Sequence, residues 1–145
     1  MRRHSALAPL SHDHHHALVA ARRVRQAAAE PEAAAAAASS FLDFFAEETI
    51  RHFREEEELL FPLIVPFDEA RELLVEALLQ HQRLHSLVLQ LHRRAESDAG
   101  YADLMREAGE LLEGHIRLEE RGLFPLIERL LESDELAELA LGPSA

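Results

Sequence analysis

A chain of 145 residues with 27 acidic and 15 basic side chains, a formal charge of −12, repels both the phosphate backbone of nucleic acids and an anionic membrane face. It has no cysteine, which excludes disulfides, zinc–thiolate fingers, iron–sulfur ligation and thiol redox chemistry, and leaves only nitrogen and oxygen to bind a metal. Ala, Leu, Glu and Arg dominate, with only five Gly and six Pro, a helical composition that fits a single all-α domain over residues 1–145.

Residues 1–10 lack a seven-residue apolar run, and nowhere do about 18 uncharged apolar residues occur together, so a soluble cytoplasmic protein is expected. The first helical pattern runs from Ser11 to Glu30 and is ended by Pro31. Steps of three, four and seven from His14 reach Leu7, Leu10, Ala17, Leu18 and Ala21, so His14 sits on the apolar stripe. His12, His15 and His16 lie off it, in solvent or behind the ligands. Residues 32–40 are alanine-rich with no face to bury, and Ser39-Ser40 offers the start of the second helix. On that helix His52 and Glu56 share a face that is apolar at both ends, Phe41, Phe44, Phe45 and Phe53 read as core, and Glu55, Glu57 and Glu58 as a solvated face. Pro62 and Pro66 close it.

The third helix spans Asp68 to Glu96, with Leu74, Ala77, Leu78, His81, Leu84, His85 and Val88 on one stripe. After the turn at Ser97–Gly100, the fourth carries Leu104, Ala108, Leu111, Leu112, His115, Leu118, Glu119 and Gly122 on one face. Ser133 caps a short terminal helix ending near Gly142. Four helices with short connections predict an up-down-up-down four-helix bundle plus a short C-terminal helix.

The chain also repeats itself. His52–Ile64 and His115–Ile127 agree at nine of thirteen positions, including the histidine and a carboxylate four residues on, a spacing that puts both on one helix face. The Leu-Phe-Pro-Leu-Ile ends of the two copies read as packing, the proline letting the chain turn over the bundle end. In a bundle the polar groups at the middle of each stripe meet: His14, His52 with Glu56, His81 with His85, and His115 with Glu119 or Glu120. Burying five imidazoles and two carboxylates together without a cation would leave several groups unsatisfied, at about 1–3 kcal/mol each. Seven ligands exceed the four that one zinc takes and suit two metal ions bridged by the two carboxylates and a solvent oxygen, with one coordination position open for a small diatomic. Imidazole and carboxylate suit iron, with manganese and zinc as alternatives.

These residues resemble the hemerythrin-like, or HHE cation-binding, domains. Asp13-His14, His52-x-x-x-Glu56 with the following Leu-Phe-Pro, His81-x-x-x-His85, and His115 with Glu119 or Glu120 carry the resemblance, which covers Leu10 to about Leu131. It implies a four-helix bundle holding a non-haem di-iron centre bridged by two carboxylates. Oxygen-carrying hemerythrins place an aspartate five residues after the fourth-helix histidine, whereas this chain has Glu119 at four and Glu120 at five. The symmetry with Glu56 favours Glu119, and the longer side chain counts against reversible O₂ carriage. The resulting expectation is a protein that binds or senses O₂ or NO, or handles iron, without turning over an organic substrate. A di-iron enzyme that reduces NO or peroxide or oxidises Fe(II) is the alternative, with Glu48, His92 and Tyr101 as the residues available for relay. A third reading is an interaction module with a structural metal.

Overall fold

The computed structural model describes residues 2–95 and 97–143. The all-α expectation is borne out: among the described residues there is no strand. Helix α1 is Ala8–Ala27, with Pro9 in the first turn, where its missing N–H costs nothing. A continuous helical run, α2, spans residues 31–60 and contains two π-helical turns, Phe45–Thr49 and Glu56–Leu60. Helix α3 is Arg71–Arg93, entered through a single 3₁₀ turn at Asp68–Ala70. Helix α4 spans 101–130, interrupted by one π turn at Glu119–Leu123, and α5 is the short Ser133–Ala137. No helix among the described residues is long and apolar enough to cross a membrane.

Several predicted boundaries move. Helix α2 starts at Pro31 rather than at Ser39-Ser40, and Ala38 is fully buried with Ala33, Ala34 and Ala37 packed beside it. The alanine run does have a face to bury, because side chains this small let α2 lie close against α1. Proline also acts differently in the two copies of the repeat. After Pro62 the chain leaves α2 through a 3₁₀ turn, whereas Pro125 falls in the first turn of the α-helix that resumes after the π turn, and α4 continues to Leu130. The cap of α5 is Glu132, in a capping box with Glu135, in place of Ser133.

The buried residues of α3 are Leu74, Ala77, His81, Leu84, Leu87, Val88 and Leu91. Steps of three and four keep one seam buried, and Leu78 and His85, the residues directly after Ala77 and Leu84, fall on its flank and are exposed.

Helix α1 lies against α2 and α4, and α3 against α4. The apolar interior is two clusters rather than one. The first gathers Ala17, Phe41, Phe45, Phe53, Leu84, Met105, Leu112 and Ile116, and the second Leu10, Leu60, Phe61, Ala77, Leu123, Phe124 and Ile127. On every long helix the passage from one cluster to the other is made through polar residues: His14 between Leu10 and Ala17, His52 and Glu56 between Phe45 and Leu60, His81 between Ala77 and Leu84, His115 and Glu119 between Leu112 and Leu123. A polar layer thus crosses the core at one level.

Two glycines matter to this arrangement. Gly100 holds φ +87° at the entry to α4, a conformation side-chain-bearing residues rarely adopt. At Gly109 a Cβ would sit 2.6 Å from the Ala21 carbonyl oxygen and 3.1 Å from Val24 and Arg25, so this glycine sets the closeness of α1 and α4. Gly109→Ala is expected to destabilise the fold by about 1–3 kcal/mol through overpacking, measurable by urea denaturation; an unchanged midpoint would show that the helices separate at no cost.

Candidate metal centre

Six side chains make up the polar layer: His14, His52, Glu56, His81, His115 and Glu119, all buried, the two carboxylates completely. They form two groups whose nitrogen and oxygen atoms lie within 4.8 Å of one another, His14, His52, Glu56 and Glu119 in one and Glu56, His81, His115 and Glu119 in the other. The carboxylates belong to both. Glu56 places Oε2 3.3 Å from His52 Nε2 and Oε1 3.2 Å from His81 Nε2, one oxygen toward each group. Glu119 Oε1 lies 3.0 Å from His14 Nε2 and 3.5 Å from His115 Nε2.

All four imidazoles point Nε2 inward. The His14 and His52 Nε2 atoms are 3.2 Å apart, and those of His81 and His115 3.1 Å apart. The other ring nitrogens face outward onto acceptors: His52 Nδ1 donates to Asp13 Oδ2 at 3.0 Å, His81 Nδ1 to Glu57 Oε2 at 2.9 Å, and His115 Nδ1 to Gln80 Oε1 at 2.7 Å. His14 Nδ1 faces Glu120 Oε1 at 3.5 Å. A carboxylate or amide oxygen only accepts, so it keeps a hydrogen on Nδ1 and, once the ring is neutral, leaves the Nε2 lone pair free for a cation. Rings are fixed as well by stacking, Phe53 on His81 at 3.7 Å between centroids and Phe124 on His14 at 5.4 Å.

The repeat explains this construction. Glu57 and Glu120 occupy the same repeat position, next to the ligand carboxylates, and each reaches a histidine on another helix. Asp13 and Gln80 immediately precede His14 and His81, and each holds the histidine of one repeat copy. The π turns Glu56–Leu60 and Glu119–Leu123 begin at the two carboxylates, with the Phe61 and Phe124 N–H groups donating to the Glu56 and Glu119 carbonyls. π turns recur at functional sites. Reading Glu57 as solvated surface missed its hydrogen bond to His81; its match with Glu120 in the repeat was the available signal. For Gln80 the signal was its offset from His81, the same as that of Asp13 from His14.

The structure does not bring His85 to the cluster. It is exposed on the flank of α3, its ring edge-on to Phe45 at 5.3 Å, and belongs to neither group. Glu119 is the carboxylate inside the layer, and Glu120 lies at its rim, accepting from Arg3 and Ser11. Of the relay residues, Glu48 lies near His52 and takes His16 Nδ1 at 3.4 Å, but Tyr101 and His92 stand about 21 and 16 Å along their helices from His115 and His81, at 1.5 Å per residue.

Without a cation, protons balance the charge. Burial opposes a charged His14, but Glu119 and Glu120 outweigh it and hold its pKa at about 9. Burial likewise opposes charge on His52 and His81, yet the Glu56 carboxylate and its neighbours raise both. His115 goes the other way, to about 4, through burial and the adjacent charged imidazoles. The same imidazoles overcome burial at Glu56 and keep its carboxyl well below the ordinary range.

Both Glu56 oxygens and Glu119 Oε2 are nevertheless buried without a hydrogen-bond partner among the described residues. Unpartnered carboxylate oxygens beside inward-facing imidazole nitrogens are the donor set a divalent metal requires. The layer fits such an ion and defines the chain as a helical metal-binding protein. Residues 6–127 match the model of the hemerythrin HHE cation-binding domain, and the chain belongs to that family. Neither curated proteins nor solved structures yielded a match to the chain.

Proposed function

We propose that the chain holds two iron ions, one facing His14 and His52 and the other His81 and His115, with Glu56 and Glu119 shared, and that it binds or senses a small ligand such as O₂ or NO. The long helices that carry these residues are joined by short connections and make an up-down-up-down bundle around the layer. The observation that carries the reading is that each Nδ1 faces outward, hydrogen-bonded in His52, His81 and His115, which leaves four Nε2 atoms and two shared carboxylates facing the same interior. Iron bound there supplies open coordination positions for a diatomic. Nitrogen and oxygen donors favour iron, with manganese and zinc as competitors. His92 and Tyr101 stand too far from the layer to relay protons to it, which leaves Glu48 as the relay candidate near it.

Metal analysis of protein reconstituted with Fe(II) under anaerobic conditions tests this. About two irons per chain, and a charge-transfer band when azide is added after oxidation to Fe(III) with ferricyanide, are the expected result, and a chain that folds identically and takes up no metal overturns it. His85→Ala is expected to keep both ions, since its ring lies outside the layer; loss of an ion in that variant would return His85 to the ligand set.

A further inference from the structure

Beside the layer, between α1, α2 and α4, a narrow cavity is lined by His14, His52 and His115 together with the apolar Phe53, Leu112 and Ile116. Its free volume of about 10 Å³ admits the centre of roughly one water-sized molecule. Among the described residues Thr49 is the one hydroxyl-bearing residue in the lining; it is 4 % exposed, and its Oγ1 has no hydrogen-bond partner among the described residues.

A helical threonine can return its hydroxyl to a carbonyl one turn back. Thr49, the last residue of the π turn Phe45–Thr49, makes no such bond. It stands in the cavity wall one helical turn from His52. Of the other polar groups in the lining, Asp13 pairs with His52 and Arg51, Glu48 with His16 at 3.4 Å, and the imidazole Nε2 atoms with the carboxylates of the layer, while His14 Nδ1 makes no hydrogen bond and has Glu120 Oε1 at 3.5 Å.

We propose that Thr49 is a specificity-determining residue, donating a hydrogen bond from Oγ1 to the small ligand held in this cavity and favouring ligands whose outer atom accepts one. The inference rests on the two-ion reading above. A ligand that gathers negative charge at its far end gains from the hydroxyl, and a weak acceptor such as CO does not. Phe44, Phe53, Leu112 and Ile116 offer the ligand no hydrogen bond, the carboxylates of Asp13 and Glu48 only accept, and among the described residues no other hydroxyl-bearing residue lines the cavity.

The test uses azide on the iron-loaded full chain, with iron content measured separately for every variant. Thr49→Val removes the hydroxyl at nearly constant volume. It is expected to keep the wild-type iron content, raise the azide Kd about three- to tenfold, as loss of one hydrogen bond predicts, and shift the azide stretching frequency. Thr49→Ser is expected to restore both. Wild-type Kd and stretch in Thr49→Val at full iron content overturn the role of Thr49 and leave the metal reading intact; failure of the wild type to take up iron overturns both. Metal-free protein gives a further reading. Removing a hydroxyl with no protein partner is expected to leave Tm unchanged or higher, whereas a lower Tm for Thr49→Val would show that the hydroxyl serves the fold and overturn the proposal.

Discussion

Glu119→Ala is expected to bind neither ion tightly, with iron content falling from about two per chain toward zero. One oxygen of this side chain lies 3.0 Å from His14 Nε2 and 3.5 Å from His115 Nε2, so a single truncation strips an oxygen donor from both halves of the layer. Two imidazoles and one shared carboxylate per ion would remain. Glu120→Ala supplies the contrast: it removes a rim contact to His14 Nδ1, and an outer-partner loss of that kind typically weakens metal affinity by about 10–100-fold without deleting a ligand. Competition against a calibrated chelator separates the two. If Glu120→Ala loses both ions while Glu119→Ala keeps them, the carboxylates have exchanged roles.

The metal-free protein is expected to be most stable near pH 6.5 and to weaken on both sides. His14 titrates at about 9 in the folded chain against 6.5 as the ordinary value. Its charge therefore stabilises the fold fully below pH 6.5, and that contribution disappears as pH rises through 9. The difference corresponds to about 3 kcal/mol, to order of magnitude, and His52 and His81, also raised, act in the same direction. His115 does the reverse. With a folded pKa of about 4 it is neutral in both states above pH 6.5; as pH falls from there toward 4 the unfolded chain takes up the proton first and stability declines. Asp13 adds to the acid-side loss: against its burial, the bond to His52 lowers its pKa, and that stabilisation fades as pH falls through the folded value.

Loading with metal is expected to remove the alkaline decline, because coordination requires neutral imidazoles and replaces the protons with the cation. Uptake near pH 7 should then release protons, visible as a buffer-dependent calorimetric heat. Urea midpoints from pH 5 to 9.5, with and without metal, provide the check. A metal-free midpoint that does not fall between pH 7 and 9.5 would show that His14 is not held charged by Glu119 and Glu120.

Much of the layer was legible because two kinds of periodicity agreed. The internal repeat marked His52 with Glu56 and His115 with Glu119, and the apolar stripe of α1 separated His14 from three neighbouring histidines. His85 was expected on the stripe because an i, i+4 pair can share one face, whereas the buried seam of α3 passes from His81 through Leu84, and His85, the next residue, turns to the flank. The alanine run looked faceless since its burial comes from the closeness of α1, which local sequence does not encode. The π turns were invisible for another reason: each adds a residue to one helical turn without changing which side chains are apolar. Thr49 ends one of these turns, and only the structure shows its hydroxyl without a hydrogen-bond partner among the described residues.

The correspondence between the halves of the layer gives the protein a built-in comparison. Asp13 answers to Gln80, yet Asp13 is a carboxylate braced by Arg51 at 3.1 Å, while Gln80 is a neutral amide. A hydrogen bond to a charged acceptor makes its imidazole a stronger donor to metal than one to an amide. The two halves of the layer are therefore chemically distinct, like two seats of unequal depth. Exchanging the acceptors, Asp13→Asn with Gln80→Glu, is expected to move the stronger imidazole donor from His52 to His115.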